Sequence, residues 1–285
     1  MAFDGHIIAQ SEIGKITVYN SWEEVPGGKP MPDEPKVRTT SEFLKNILFW
    51  NRTTIGGWPV IKAFPRQIMI CALNPLILWV LVLNSFVFGG MVVTCATYVS
   101  VLMAPPYNFT DNEIGLVKFS PFIGSLLAFP ASGILTTWFA KILATRNRGV
   151  HEPEHYLPSF ILPVVTSSIS LSLFGIAVER EWDWGWIIFF VGLDYFSAVS
   201  MFTSNTLWVT EAFPRWAGAA LTVVGGGAFA LSFVLGSTIV PWINSQGIGN
   251  TYVELGILTC LVGLFGFPVN FWGKRFRGYI YSKWE

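Results

Sequence analysis

Residues 144–158 read ATRNRGVHEPEHYLP. Inside this stretch HEPEH (151–155) satisfies H-E-x-x-H, a zinc-protease signature. That chemistry needs a helix, so that histidines at i and i+4 point the same way and share one metal. Pro153 stands between His151 and His155. In a helix interior it removes a backbone donor and clashes with the preceding turn, at a cost of about 3 kcal/mol or more. It also drives Glu152 away from helical geometry. The third histidine of the chain is His6, far away in sequence, and Arg146 and Arg148 would repel a dication. The stretch therefore reads as a turn that joins two apolar segments, and no metal site is expected.

Working outward, the apolar segments dominate. The chain has 285 residues, 52% hydrophobic, 16% aromatic and 13% charged, with mean hydropathy +0.51. Soluble domains carry roughly 25% charged residues. A spanning helix needs about 20 mostly apolar residues. Six stretches qualify, near 68–95, 112–142, 158–178, 184–208, 215–242 and 250–273. The expected fold is an all-α, polytopic membrane protein of six transmembrane helices. The second stretch exceeds what a bilayer requires, so it is expected to tilt or project.

Charge placement orients the bundle. Lys and Arg favour the cytosolic side of a membrane. With both termini cytosolic, sixteen of the 18 basic residues fall on that side, and Lys118 and Arg180 are the exceptions. Asn108-Phe109-Thr110, a glycosylation sequon, then lies outside. Equal numbers of acidic and basic residues give no sign of a nucleic-acid partner. Cys71, Cys95 and Cys260 sit in apolar stretches without framework spacing and read as buried small hydrophobes. Residues 1–66 are expected to form a cytosolic segment, since their start lacks the continuous apolar core of a signal peptide, and they carry a turn-rich patch PGGKPMPDEP (26–35). A short amphipathic helix near 41–50 is expected at the membrane surface or on the protein's own loops. Residues 67–275 form the spanning domain and 276–285 a cytosolic tail.

Around Pro153 the pattern carries a second signal. Arg146, Asn147, Gly149, Glu152, Pro153, Glu154 and Leu157 match a loop close to A-R-R-N-x-G-x-x-E-P-E-x-R-L. That loop lies between helices eight and nine of fungal major facilitator superfamily transporters of the multidrug/proton-antiporter-like branch. APPYNFTDNEIGL (104–116) resembles the outer loop after helix seven, WVTEAFPRWAGAAL (208–221) the turn between helices ten and eleven, and NPLILW (74–79) the start of helix seven. The resemblance covers roughly residues 40–280. It implies the C-terminal six-helix half, with the central loop ahead of it. It also implies alternating access for a small organic solute, coupled to protons and run between two such halves. A second half or a homodimer would then be the partner, besides the bilayer. Two departures stand out: Thr137 replaces a usual Asp and Ala219 a frequent Glu.

Ionisable groups inside a membrane are functional candidates by default. Asp194, in VGLDYFSAVS, lies well inside a span. It is the candidate for proton coupling or a cationic substrate, with Tyr195 beside it. The bland reading is a carboxylate near the outer interface. Asn84 is a candidate for substrate, or for a helix–helix hydrogen bond. The resemblance places a cytosolic gate at Gly133, Arg146, Asn147, Gly149, Glu152, Glu154, Glu211 and Arg215. Gly225–Gly227 mark close helix packing or a hinge, and the absence of a following Lys-Ser/Thr excludes a phosphate loop. With no Walker motif, triad or metal cluster, neither an enzyme nor a cofactor is expected. The rival readings are a non-transporting pseudo-transporter that binds or scaffolds and, far behind, the zinc protease. The expected location is the plasma membrane.

Overall fold

The computed structural model describes residues 2–3, 6–10, 16–19, 57–146 and 153–266. Three short strands lead: β1 (Ala2–Phe3), β2 (His6–Gln10) and β3 (Ile16–Tyr19). They pair antiparallel in the order β1-β2-β3, with Ile7 opposite Tyr19 and Ala9 opposite Thr17. The sequence reading assigned them no structure. The β-branched runs HIIAQ and ITVY favour such pairing. The expected helix near 41–50 lies outside the described residues.

The other regular elements described are helices: α1 (Gly57–Ala72), α2 (Pro75–Met103), α3 (Asp111–Val117), α4 (Phe119–Arg146), α5 (Ile161–Glu179), α6 (Trp184–Ala212), α7 (Ala217–Gln246) and α8 (Ile248–Leu264). Short 3₁₀ turns cover Pro153–Phe160 and Pro214–Trp216. Five helical segments are long and apolar enough to cross a membrane, and α8 is a shorter apolar helix. The chain is thus a multi-pass, all-helical membrane bundle behind its small sheet.

The first span begins at Pro75 rather than near 68. Pro75 cannot donate to the carbonyl four residues earlier, and Asn74 caps the new helix by accepting from the Leu76 amide at 3.0 Å. Asn74→Ala should cost about 1 kcal/mol, read as earlier unfolding in a denaturing-detergent titration. The excess length of the second span is divided at Lys118, which closes α3 before α4 starts. Glu113 accepts from the Thr110 amide and hydroxyl at 2.7 and 2.8 Å, which fixes the start of α3. The loops at 104–110 and 180–183 are tied together where the Tyr107 hydroxyl donates to the Trp182 carbonyl. Burial, with Glu181 and Asp183 nearby, pushes that phenol above its ordinary pKa. Asn108 of the sequon is exposed.

Helices α5 and α8 pack along their length, as do α2 against α7 and α4 against α6. Between lipid-facing helices the hydrophobic effect gives little, so close contact of small residues must drive association. Gly249, Gly256 and Gly263 recur every seventh residue and so share a face of α8. A Cβ on Gly256 would collide with Ser172, and one on Gly263 with Val164, both on α5. Of the triple glycine, Gly227 touches Leu81, while Gly225 and Gly226 have open space. Close packing therefore applies to one of the three. The cysteine expectation is corrected similarly. Cys71 is buried, but Cys95 and Cys260 are exposed free thiols on helix surfaces.

The apolar core falls into two clusters. One, around Leu83, Phe160, Met201, Trp208 and Phe213, lies toward the 153–160 turn. The other, around Leu102, Phe174, Ile187 and Phe190, lies toward the opposite face. Asp194 and Ser197 on α6 and Ser167 on α5 are buried polar residues at the junction between them.

Candidate functional site

Asp194 is fully buried on α6. Helix α6 starts at Trp184 behind an Asp183 cap, whose side chain accepts from the Gly185 amide at 2.8 Å. Asp194 thus sits roughly 15 Å along the helix axis from that end. Neither carboxyl oxygen has a hydrogen-bond partner. Thr94 from α2 and Ser197 from α6 turn toward it without completing a bond. Ser197 instead donates to the Asp194 carbonyl at 2.6 Å. The Tyr252 phenol of α8, buried and unpartnered, faces the same point beside Thr94 and Thr97. Tyr195 lies next to Cys95 and Tyr98 of α2. Thr94 and Tyr252 were missed by sequence reading. A lone Thr and a lone Tyr in apolar runs carry no signal until the helices are packed.

The structure does not bring Asn84 to this cluster. It is buried on α2, roughly 15 Å of helix rise from Thr94. A groove on the bundle avoids Asp194 as well. This open groove of about 800 Å³ runs between α3–α4 and α6 and is lined by Phe109, Phe119, Ile123, Trp184, Phe189 and Phe196 among others. Its walls meet where the Ser120 hydroxyl donates to the Ile188 carbonyl at 2.7 Å and Gly124 lies against Gly192. Asp194 and the groove therefore lie on different faces of α6.

The expected gate residues divide. Asn147, Gly149 and Glu152, with His151, lie outside the described residues. Pro153 opens the 3₁₀ turn, which packs between α4 and α6. Glu154 is half-buried in this turn, and Glu211 at the end of α6 faces its Tyr156. Arg146 is exposed at the end of α4. Gly133 has open space, and the Thr137 hydroxyl donates to the Gly133 carbonyl at 2.8 Å. Thr137 thus satisfies itself locally where a carboxylate would reach out. Arg215 lies in the 3₁₀ turn before α7. Among the described residues no group of three or more His, Cys, Asp or Glu is placed to hold a metal.

An uncharacterised MFS-type transporter of Schizosaccharomyces pombe is 29% identical over 175 residues, 61% of this chain and 30% of that protein. Protein HOL1 of Saccharomyces cerevisiae is 25% identical over 183 residues, 64% of this chain and 31% of that protein. An MFS-type transporter of Gibberella moniliformis is 24% identical over 229 residues, 74% of this chain and 96% of that protein. No family profile matches the chain, and no solved structure matches it. The chain spans about a third of the length of the first two relatives. Its helical bundle and these relatives agree: the chain is related to the fungal MFS-type transporters.

Proposed function

We propose that this chain moves a small organic solute across a membrane by alternating access, with Asp194 carrying the coupling proton. The carrying observation is a fully buried carboxyl whose two oxygens have no partner. Burial penalises a lone charge heavily. Gaining or losing a proton there changes the energy of its surroundings far more than at a solvated site. Such a group can bias two arrangements of a bundle. The groove between α4 and α6 supplies an apolar, aromatic surface for the solute. The 153–160 turn, wedged between the ends of those same helices, acts as the gate, with Glu154, Glu211, Arg146 and Arg215 around it. A cavity open alternately to two sides needs a second six-helix bundle. A second copy of the chain or a separate half provides it. The Schizosaccharomyces pombe and Saccharomyces cerevisiae relatives, of which the matched stretch is about a third, support this reading. The reading places the protein in the plasma membrane, and the distribution of Lys and Arg favours both termini on the cytosolic side.

The test uses the full chain in liposomes with an imposed pH gradient and a panel of radiolabelled organic solutes. Gradient-dependent flux of at least one solute is expected. Asp194→Asn should retain no more than about a tenth of the gradient-driven flux, by analogy with proton carriers elsewhere, while still exchanging solute down its own gradient. Unchanged pH dependence in the variant would refute the coupling role. No flux of any solute by the natural chain would refute transport.

A further inference from the structure

The two faces of α6 differ chemically. Toward α4 it presents Ile188, Gly192 and Phe196 to the groove. On other faces it buries Asp194, Ser197, Ser200, Ser204, Asn205 and Trp208. The Asp194 oxygens, Ser200 Oγ, Asn205 Nδ2 and Trp208 Nε1 are buried without hydrogen-bond partners, as is Ser167 Oγ on α5. One orphan is an accident of packing, but a run of them along a helix requires an explanation. Each would cost about 1–3 kcal/mol if left unmet, and buried polar groups are ordinarily met by protein or by water. At about 1.5 Å rise per residue, successive orphans on α6 are roughly 5–9 Å apart along the helix axis, steps on the scale of one or a few waters.

The run has a direction. From Asp194 it continues along the C-terminal part of α6 to the 153–160 turn, where the Ser204 hydroxyl donates to the Ser159 carbonyl at 3.3 Å. That carbonyl is available because Pro163, four residues on, has no amide hydrogen to give it. On the other side of Asp194, α6 buries Ile187, Phe190 and Val191 in an apolar cluster with Leu171 and Phe174. The run of unpartnered groups on α6 itself therefore ends at Asp194, where the Thr94 hydroxyl and the Tyr252 phenol meet it. Met201, fully buried on the same stretch, narrows it. The titratable groups facing Asp194 are Tyr252 from α8, and Cys95 and Tyr98 of α2 through Tyr195. Among the described residues no charged side chain acts on it.

We propose that this seam is a water-filled proton path. It joins Asp194 to the membrane face that carries the 153–160 turn, and α6 separates it from the solute groove. The inference rests on the coupling role given to Asp194. It means that proton and solute reach opposite faces of one helix.

Cysteine accessibility tests it in the full chain, with Cys71, Cys95 and Cys260 replaced by Ser or Ala. Ser200→Cys keeps the side-chain volume, and Asn205→Cys opens a second position. Sealed vesicles are treated with a small, charged, membrane-impermeant methanethiosulfonate from either side. Val191→Cys serves as the buried control and Phe202→Cys as the lipid-facing one. Labelling of Ser200→Cys and Asn205→Cys from the 153–160 side, at least tenfold faster than both controls and absent from the other side, is expected. Rates equal to the controls, or entry from the opposite side, would overturn the path alone, since labelling does not require transport. Rapid labelling together with unchanged pH dependence in Asp194→Asn would overturn the coupling role and the assignment of the seam to protons.

Discussion

Replacing Gly192 by Leu should unfold the α4–α6 pair and with it most of the bundle. A Cβ at this position would collide with the Ser120 hydroxyl and lie 3.1 Å from the Ser120 carbonyl oxygen. Opposite it, a Cβ on Gly124 would strike the Gly192 carbonyl. Two backbones meet here, so neither side can yield by rotating a side chain. Overpacking typically costs 1–3 kcal/mol, and more where backbone is displaced. A loss of about 3 kcal/mol or more is expected for Gly192→Leu. It should appear as loss of monodisperse protein or a sharply lower unfolding midpoint in detergent. Gly226→Leu is the matched control, because nothing lies within 4 Å of that site. Equal effects at the two positions would show that close approach is not what holds α4 to α6.

Trp208→Ala should be nearly as damaging by the opposite mechanism. Trp208 is 2% exposed, with edge-on contacts to Phe160 at 6.4 Å and Phe213 at 6.0 Å between ring centres. Through Phe160 the aromatic stack continues to Trp79, whose indole donates to the Val262 carbonyl at 3.1 Å. This one side chain therefore sits among the ends of α2, α6 and α8 and the 153–160 turn. Removing a large buried aromatic costs about 3–5 kcal/mol, depending on how far the site collapses. Trp208→Phe, which keeps an aromatic ring and deletes the Nε1 donor, should lose less than half as much. Chemical unfolding of the three proteins in one detergent decides this. If the Phe variant fell as far as the Ala variant, the indole nitrogen and not aromatic packing would carry the contribution of Trp208.

Much of the fold was legible because the physics that sets it is local. Long apolar runs and Pro153 fix helices and breaks one segment at a time. The start of the first span was misplaced because IMICAL and PLILW read as one apolar run, although NP between them holds both a cap and a missing donor. The site was legible in part. Asp194 stood out as an acid among apolar neighbours. Its surroundings did not, because Thr94 and Tyr252 come from helices remote in sequence. Asn84 looked equivalent to Asp194 in hydropathy, yet depth along the bundle separates them. The strands escaped notice because two short β-branched runs look ordinary ahead of so strong a helical signal. HEPEH changed meaning altogether: its proline starts a 3₁₀ turn that packs between α4 and α6.

The glycine heptad of α8 has a consequence for how the protein is made. A ribosome delivers α5 long before α8, so the small-residue face that ends up against Gly256 and Gly263 must wait in the bilayer while two further helices are synthesised. During that interval Ser168 and Ser172 have no final neighbour. A nascent chain stalled before residue 248 would display this face to the insertion machinery.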